Sequence, residues 1–382
     1  MKFLAECKTF LAALKAAAKF TEPHSTLPGF RCVKVTAGGP GPGGTVEANV
    51  CTDGARFAFP AGTADGDAFA ACFEPGPVVK LLSGVSGVVS LEIPADGRVR
   101  IACGTLAAEM DTMPVEDFAA WLEPEDGAVE VSASACGIVR ALDAAIVASD
   151  DDRTPRRCGV RVEVSARADR VDFIATDGRR LHVASVGIGG AEKAAAEGDA
   201  AGFTLRLSTA RRLAFFLRAH GELSASLRFA PGRIVVRSGF DELRADESKV
   251  VYPEWRKVVP QSCDAPEWFP IPADDLADAL GRFSALGFDH VSVALAAEGF
   301  ALEGKRERKS DGQEIKLRRF VAAPGADSLR AGFACAPALF ADAIRACGPS
   351  GAMLRRAGEP ILVKSAPGST VFTLALLMPA RI

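Results

Sequence analysis

The segment Ile174-Ala175-Thr176-Asp177-Gly178-Arg179-Arg180 begins as an apolar strand and ends in a Thr-Asp-Gly turn. A matching segment, Val50-Cys51-Thr52-Asp53-Gly54-Ala55-Arg56, stands in the first third of the chain. The nearest counterpart in the last third is Ala301-Leu302-Glu303-Gly304, which has lost the turn residues. Similar segments at long intervals are the signature of a repeated structural unit. The comparison predicts three tandem copies of one unit, the third more diverged than the other two.

Each third of the chain also contains two stretches in which apolar residues recur at helical spacing. The longer stretch comes first and predicts helices at Lys8–Phe20, Ser134–Ser149 and Asp274–Leu286. The shorter stretch follows in the middle and predicts helices at Pro77–Leu82, Thr209–Ala219 and Pro337–Ala346. Cap residues bound the shorter helices, with Gly84 after the first, Ser208 as the expected N-cap of the second and Gly348 after the third.

Strands with alternating apolar and polar residues lie between the helices, as in Val160-Arg161-Val162-Glu163-Val164. This alternation is typical of antiparallel sheets with one face covered by helices, so the predicted class is α+β. Acidic or proline-containing stretches near 126 and 260 mark the expected boundaries. They predict three domains, which are residues 1–126, 127–260 and 261–382.

The composition is that of a folded, soluble protein with more than one domain. Its 382 residues exceed what one core supports, and 48% of them are apolar and 24% charged. No apolar run approaches the roughly 18 residues of a membrane span, and the charged N-terminus is unlike a signal peptide. The ten cysteines include no C-x-x-C pair, which predicts reduced thiols and a cytoplasmic location.

No pattern in the sequence indicates an active site, a cofactor or a metal. The glycine-rich run 38–44 is followed by a strand-like segment, whereas a phosphate cradle needs a helix there, so we predict a hairpin connection. The four histidines are scattered, and Asp150-Asp151-Asp152-Arg153 fits a solvated loop better than a metal cluster. A hydrolase that uses Asp53 or Asp177 is an alternative, although no base, nucleophile or metal ligand accompanies either residue.

Basic residues recur on the predicted helices although the net charge is −3. Solvation explains one charged helix face, but recurrence on equivalent helices favours a shared positive surface, which an acidic chain needs in order to bind nucleic acid. The third repeat is the weakest case because its first helix also carries Asp274, Asp275 and Asp278. The residues concerned are Lys8, Lys15, Lys19, Lys80, Arg140, Arg211, Arg212, Arg218, Arg282 and Arg345.

Four stretches resemble the bacterial DNA polymerase III beta subunit, the sliding-clamp family. They are Met1-Lys2-Phe3 with its helix and Thr26-Leu27-Pro28, then Ala175–Leu181, Tyr252–Pro260, and Leu377-Met378-Pro379-Ala380-Arg381-Ile382. Their order and spacing agree over the whole chain. The second and fourth stretches are specific when they occur together.

The resemblance implies a non-enzymatic processivity factor without cofactor or metal. Such a protein is a head-to-tail homodimer, a ring of six similar domains with pseudo-sixfold symmetry, which encircles double-stranded DNA without reading its sequence. Its partners are the replicative DNA polymerase, the clamp loader and repair proteins that carry short linear motifs, and no membrane is involved. A divergent paralogue with a changed partner set, such as an accessory or resistance copy, is the alternative.

The resemblance also assigns roles to residues. The family's peptide-binding pocket maps to Thr176, Gly178, Arg179, Arg180, Leu181, Pro253, Lys257, Val258, Leu376, Met378, Pro379, Ala380 and Arg381. Arg157 belongs to the same pocket, where the family usually has an apolar residue, and Ala380 stands where a larger apolar residue is common. These two departures motivate the paralogue alternative. An ordinary core strand is the other interpretation of Leu374–Met378.

Two further groups of residues follow from the same resemblance. His24 and Arg153 join the residues expected to face DNA. The expected dimer contact involves Leu106 and Ala108 of one copy and Ala285 and Leu286 of the other. The segment 305–312 is more basic than is usual in the family.

Overall fold

The computed structural model describes residues 2–37, 43–50, 55–62, 68–93, 97–118, 129–149, 159–165, 169–188, 202–221, 223–260, 268–307, 314–329, 332–348, 351–356 and 360–379. The chain forms two compact units, Met1–Glu130 with Leu223–Glu247, and Val131–Glu222 with Ser248–Ile382. The three domains expected from the sequence, with boundaries near 126 and 260, stay a prediction. Four predicted site residues lie outside the described residues, namely Arg153, Arg157, Ala380 and Arg381.

Seven α-helices and twenty-four strands occur in the described part of the chain. The helices are α1 (Cys7–Ala18), α2 (Pro28–Arg31), α3 (Pro75–Leu82), α4 (Ala135–Ile146), α5 (Leu207–Arg218), α6 (Ala273–Ala285) and α7 (Pro337–Ala346). The strands are β1 (Lys2–Glu6), β2 (Val33–Ala37), β3 (Gly44–Val50), β4 (Ala55–Gly62), β5 (Phe69–Phe73), β6 (Val88–Glu92), β7 (Arg98–Cys103), β8 (Leu106–Asp111), β9 (Val129–Ser134), β10 (Val160–Val164), β11 (Arg170–Thr176), β12 (Arg180–Gly187), β13 (Gly202–Leu205), β14 (Ser224–Ala230), β15 (Arg233–Ser238), β16 (Asp241–Asp246), β17 (Phe269–Ile271), β18 (Val291–Ala296), β19 (Gly299–Glu307), β20 (Glu314–Ala322), β21 (Phe333–Cys335), β22 (Ala352–Arg356), β23 (Ile361–Ser365) and β24 (Val371–Leu377).

The strands form antiparallel sheets. In the first unit they follow the orders β1-β6-β7-β8 and β5-β2-β3-β4-β16-β15-β14, with α1 packed on β3 and β4 and α3 beside α1. In the second unit they follow the orders β13-β10-β11-β12-β24-β23-β22-β17 and β20-β19-β18-β21. Strand β9 crosses the boundary between the units. The predicted α+β class, with helices on antiparallel sheets, is confirmed. No helix of the described residues is long and apolar enough to cross a membrane.

All six predicted helices are present, and two of them begin two residues earlier than expected. Helix α3 starts at Pro75 and not at Pro77. Helix α5 starts at Leu207, so the prediction that Ser208 is its N-cap is wrong. The reason is packing, because β13 ends at Leu205 and the buried Leu207 already faces the core. Ser134 does cap α4, since its hydroxyl accepts a hydrogen bond of 3.3 Å from the Gly137 amide.

Two segments quoted from the sequence lie beside or within strands. The hairpin on either side of the glycine-rich run is confirmed, since β2 pairs with β3 in antiparallel register. The segment Ala301–Gly304, the nearest counterpart of the Thr-Asp-Gly turns, lies within β19, which continues to Glu307. Gly304 is there for close packing, since a Cβ atom at this position would come within 2.8 Å of the Phe288 ring.

The central sheet of the second unit has a different covering on each face. Helix α4 packs on β11 and β12, with α5 and α7 against it and α6 against α7. The other face carries an outer-face cluster, which consists of Ile174, Leu181, Val183, Leu362, Leu374 and Leu376 under Tyr252, Trp255, Val259 and Trp268. The Tyr252 hydroxyl donates a hydrogen bond of 2.9 Å to the Ile174 carbonyl, which fixes the covering segment to the sheet.

Candidate functional site

The last strand of the chain returns to the Thr-Asp-Gly turn. Strand β24 pairs with β12 from Val371 opposite Val186 to Leu377 opposite Arg180. Directly after β24, the amide of Met378 donates a hydrogen bond of 2.9 Å to the carbonyl of Arg179. The pairing therefore brings two stretches quoted from the sequence, far apart along the chain, into contact.

A cleft of about 480 Å³ opens where these segments meet the edge of the outer-face cluster. It is lined by Thr176, Gly178, Arg179, Arg180, Leu181, Pro253, Glu254, Trp255, Val258, Pro360, Leu376, Leu377 and Met378. Met378 is 57% exposed and Val258 is 61% exposed, although both are large apolar residues. Exposed apolar side chains around a cleft are a feature of binding sites.

Nine residues of the predicted pocket line this cleft together. They are Thr176, Gly178, Arg179, Arg180, Leu181, Pro253, Val258, Leu376 and Met378. The structure does not bring Lys257 into it; its exposed ammonium group pairs with Glu254. Pro379 lines a neighbouring cavity with Arg179 and His290. The run Leu374–Met378 is in part a core strand and in part a wall of the cleft. Leu374, Leu376 and Leu377 are buried strand residues, and Met378 is exposed.

Four lining residues were missed by sequence reasoning. Glu254 and Trp255 lie within the quoted stretch Tyr252–Pro260, so that motif could have indicated them. Leu377 lies in the quoted C-terminal stretch and was expected only as a core residue. Pro360 precedes β23 and belongs to no motif, so only the folded chain brings it to the cleft.

The Thr-Asp-Gly turn is held by its own side chains. The Thr176 hydroxyl donates to the Arg180 carbonyl (2.7 Å) and accepts from the Gly178 amide (3.1 Å). Oδ1 of Asp177 accepts from the amides of Arg179 (2.8 Å) and Arg180 (3.0 Å). Gly178 has φ +83°, a backbone conformation that glycine adopts without strain. These bonds support the predicted structural role of the turn.

Both carboxylate oxygens of Asp177 accept hydrogen bonds from residues of the turn, which argues against the hydrolase alternative. The second oxygen accepts a hydrogen bond of 3.0 Å from Nε of Arg180. Asp53, the other candidate, lies outside the described residues. In the described ranges, no three His, Cys, Asp or Glu side chains are grouped so that they could hold a metal ion.

Side chains on the helix-covered face of β12 tie the turn to two helices. Nη1 of Arg180 donates to Oδ2 of Asp342 on α7 (2.7 Å), and Nη2 donates to the carbonyl of Val147 at the end of α4. Two residues along β12, Nδ1 of His182 donates to the carbonyl of Ala144 (2.7 Å). Burial lowers the pKa of His182 to about 4, so its ring is neutral at physiological pH.

The residues predicted to face DNA are mostly exposed on helices. In the first unit, Lys8 and Lys15 are exposed on α1, Lys19 and His24 are exposed after it, and Lys80 is exposed on α3. In the second unit, Arg211 and Arg218 are exposed on α5, Arg282 on α6 and Arg345 on α7, whereas Arg140 and Arg212 are half-buried.

These basic residues differ in how far acids neutralise them. Arg218 makes two bonds to the Asp143 carboxylate, at 2.6 and 2.7 Å, and Arg345 lies 3.7 Å from Asp278. Among the described residues, the side chain of Arg140 bonds to the uncharged Thr370 hydroxyl, at 2.6 Å. Of the part of the chain that the structure describes, no acid pairs with Lys8, Lys15, Lys80, Arg211 or Arg282. This second group has its charge available for a ligand.

The residues expected at the dimer contact lie at two accessible places. Leu106 is 41% exposed and begins β8, the edge strand of its sheet, and Ala108 on the same strand is half-buried. Ala285 is exposed at the end of α6, and Leu286 after it is 51% exposed.

No protein-family model and no curated protein matches the chain. Solved structures do match it over its full length. The DNA polymerase sliding clamp of Caulobacter crescentus is 20% identical, with all of both chains covered and a TM-score of 0.80. The DNA polymerase III beta subunit of Pseudomonas aeruginosa is 15% identical, with all of both chains covered and a TM-score of 0.82. A second Caulobacter crescentus structure (20% identical, 100% and 99% covered, TM-score 0.80) has polyethylene glycol bound to its proposed beta-motif tethering region.

The identities of 15–20% establish the fold and leave the activity to be argued separately. The resemblance noted in the sequence is confirmed at this level. The chain has the fold of the bacterial sliding clamps, the beta subunits of DNA polymerase III.

Proposed function

We propose that the chain is a DNA sliding clamp, a non-catalytic processivity factor that encircles double-stranded DNA and tethers the replicative DNA polymerase. The observation that carries the proposal is the full-length likeness to sliding clamps, with TM-scores of 0.80 and 0.82. The cleft and the basic helices described above give that fold two surfaces of the required chemistry. The protein would act in the cytoplasm, on the nucleoid.

The exposed cations support contact with DNA phosphates. Lysine and arginine on long, mobile side chains can contact the backbone without reading bases, which a sliding protein requires. A ring that encloses its DNA needs only weak contacts, so an overall charge of −3 is compatible with this role.

The cleft supports recognition of a short peptide. It joins apolar walls, such as Leu181 and Leu376, to a few polar groups, such as the Thr176 hydroxyl. A mixed site of this kind suits a linear motif that inserts two or three apolar side chains. The polymerase, the clamp loader and repair proteins would compete for it, each through its own motif.

Closure into a ring requires a second copy. An edge strand such as β8 presents unpaired backbone groups, and Leu106 and Leu286 add exposed apolar surface. A head-to-tail contact between copies closes when the rotation per copy completes a circle. Three domains per copy, at the boundaries expected from the sequence, would give the pseudo-sixfold ring.

Processive DNA synthesis tests the tethering role. The assay is extension of one primer on circular single-stranded DNA by the replicative polymerase of the host, with its loader and ATP. We expect the chain to increase the length of the product made in one binding event by at least about tenfold, the scale of a clear kinetic effect. Products of equal length with and without the chain would contradict tethering.

A further inference from the structure

A partly buried polar cluster adjoins the cleft. It consists of Asp177, Arg180, His182 and Asp342, and we call it the rear cluster. Arg180 is its centre, with a side chain only 10% exposed that bonds to two carboxylates and one carbonyl. Asp342 takes no part in lining the cleft. Of the four residues, Arg180 lines the cleft, and the other three lie behind the surface that a peptide would touch.

Each partner of Arg180 has a physical reason to be there. A guanidinium group that leaves water must be paired and hydrogen-bonded, and Asp177 and Asp342 supply both charge and acceptors. The carbonyl of Val147 lies at the C-terminal end of α4, where the helix dipole favours a cation. Three directed bonds from one side chain fix the orientation of the group on every side.

We propose that Arg180 and Asp342 are positioning residues of the peptide cleft. They hold the Thr-Asp-Gly turn against α4 and α7. The turn then fixes the positions of the groups that line the cleft. The proposal rests on the proposed peptide binding. Asp342, on α7, would thereby influence the affinity for the peptide without contacting it.

The path from Asp342 to the cleft is short and continuous. Asp342 bonds to the Arg180 side chain, and the Arg180 amide bonds to Asp177, which also accepts from the Arg179 amide. The Arg179 carbonyl accepts from the Met378 amide. Loss of the Asp342 bond would loosen the attachment of the turn to α7, and with it the position of Met378, so a peptide would have to order both when it binds.

The variant Asp342→Asn tests the proposal because it removes one charge and keeps the side-chain size. The matched control is Asp143→Asn on α4, which breaks the ion pair with Arg218 and leaves the rear cluster intact. Arg180→Lys keeps the charge, but its compact ammonium group cannot reproduce the planar fork that reaches all three acceptors. The probe is a fluorescein-labelled peptide from the C-terminus of the replicative polymerase of the host, and its binding is followed by fluorescence anisotropy.

We expect Asp342→Asn and Arg180→Lys to raise the Kd by about fivefold, the scale of weakening one intramolecular hydrogen bond, and Asp143→Asn to leave it unchanged. Amide hydrogen exchange supplies a local readout. Exchange in residues 176–181 should become faster in Asp342→Asn, with the rest of the chain unchanged, whereas general destabilisation would speed exchange throughout.

The outcomes separate the two proposals. If wild type binds the peptide and Asp342→Asn binds it equally well, the positioning role is wrong and peptide binding stands. The same holds if Asp143→Asn weakens binding as much as Asp342→Asn. If wild type does not bind the peptide, the proposed cleft function itself fails.

Discussion

Nη1 of Arg180 donates a hydrogen bond of 2.7 Å to Oδ2 of Asp342, across 162 residues of sequence. The bond joins the turn between β11 and β12 to α7. Together with the pairing of β12 and β24, it builds the cleft from segments that are distant along the chain. The cleft therefore exists only when the second unit is folded.

Met378→Ala should weaken binding of the polymerase C-terminal peptide by about tenfold, because burial of a methionine side chain against a ligand contributes about 1–2 kcal/mol. Met378 lines the cleft and is exposed in the free protein. Fluorescence anisotropy gives the Kd, and sedimentation should show an unchanged dimer.

The control for this substitution is Phe372→Ala. Phe372 is also an exposed apolar residue of β24, but it does not line the cleft. Equal Kd values for wild type and Met378→Ala would place the peptide site elsewhere on the protein.

Arg211→Ala should weaken DNA binding more than Arg218→Ala, although both residues are exposed on α5. Asp143 neutralises Arg218, whereas Arg211 has no acidic partner among the described residues. We expect Arg211→Ala to reduce the slope of log K against log salt by about 1, as for one lost phosphate contact. Titration of duplex DNA at several salt concentrations measures this slope, and a larger change for Arg218→Ala would contradict the assignment.

Acid should destabilise the second unit through His182. Its pKa is about 4 in the folded chain and 6.5 as the ordinary value, so the unfolded state binds more protons between these values. The free energy of unfolding is unaffected by this group above pH 6.5, and it falls as the pH drops toward 4, by about 3 kcal/mol in total. His182→Gln, which keeps a donor for the Ala144 carbonyl, should show a flatter pH dependence in urea unfolding than wild type. Parallel pH profiles would show that His182 is not responsible.

Leu286→Glu should dissociate the proposed dimer, because a carboxylate in a closed apolar contact loses its hydration without a partner. Analytical ultracentrifugation at micromolar concentration should give twice the chain mass for wild type and the chain mass for the variant. Val251→Glu is the control, since Val251 is also exposed in the second unit but outside the predicted contact. A monomeric wild type would count against a closed ring.

The sequence was sufficient for elements that depend on local pattern. Amphipathic spacing located all six longer helices, but the start of α5 was missed because the burial of Leu207 overrode the capping preference of Ser208. The cleft residues that were predicted lie within the quoted motifs. Pro360 was missed because its position depends on how three distant segments meet.

Arg180 shows a finer limit of sequence reasoning. It was expected as a pocket residue, and it does line the cleft, but its side chain bonds toward the helices. Alternate residues of a strand point to opposite faces, so the buried Leu181 on the cleft side puts Arg180 and His182 on the helix side. That alternation could have indicated a structural role, but the partner Asp342 could not be found without the fold.

Retention on circular DNA tests the central claim most directly. The chain is loaded onto nicked circular duplex DNA by the host clamp loader and ATP, and the complex is passed through a sizing column in high salt before and after the circle is cut once. A sliding clamp should stay with the intact circle and be lost from the linear product, because it slides off the ends. Equal retention on circular and linear DNA would contradict the topological account.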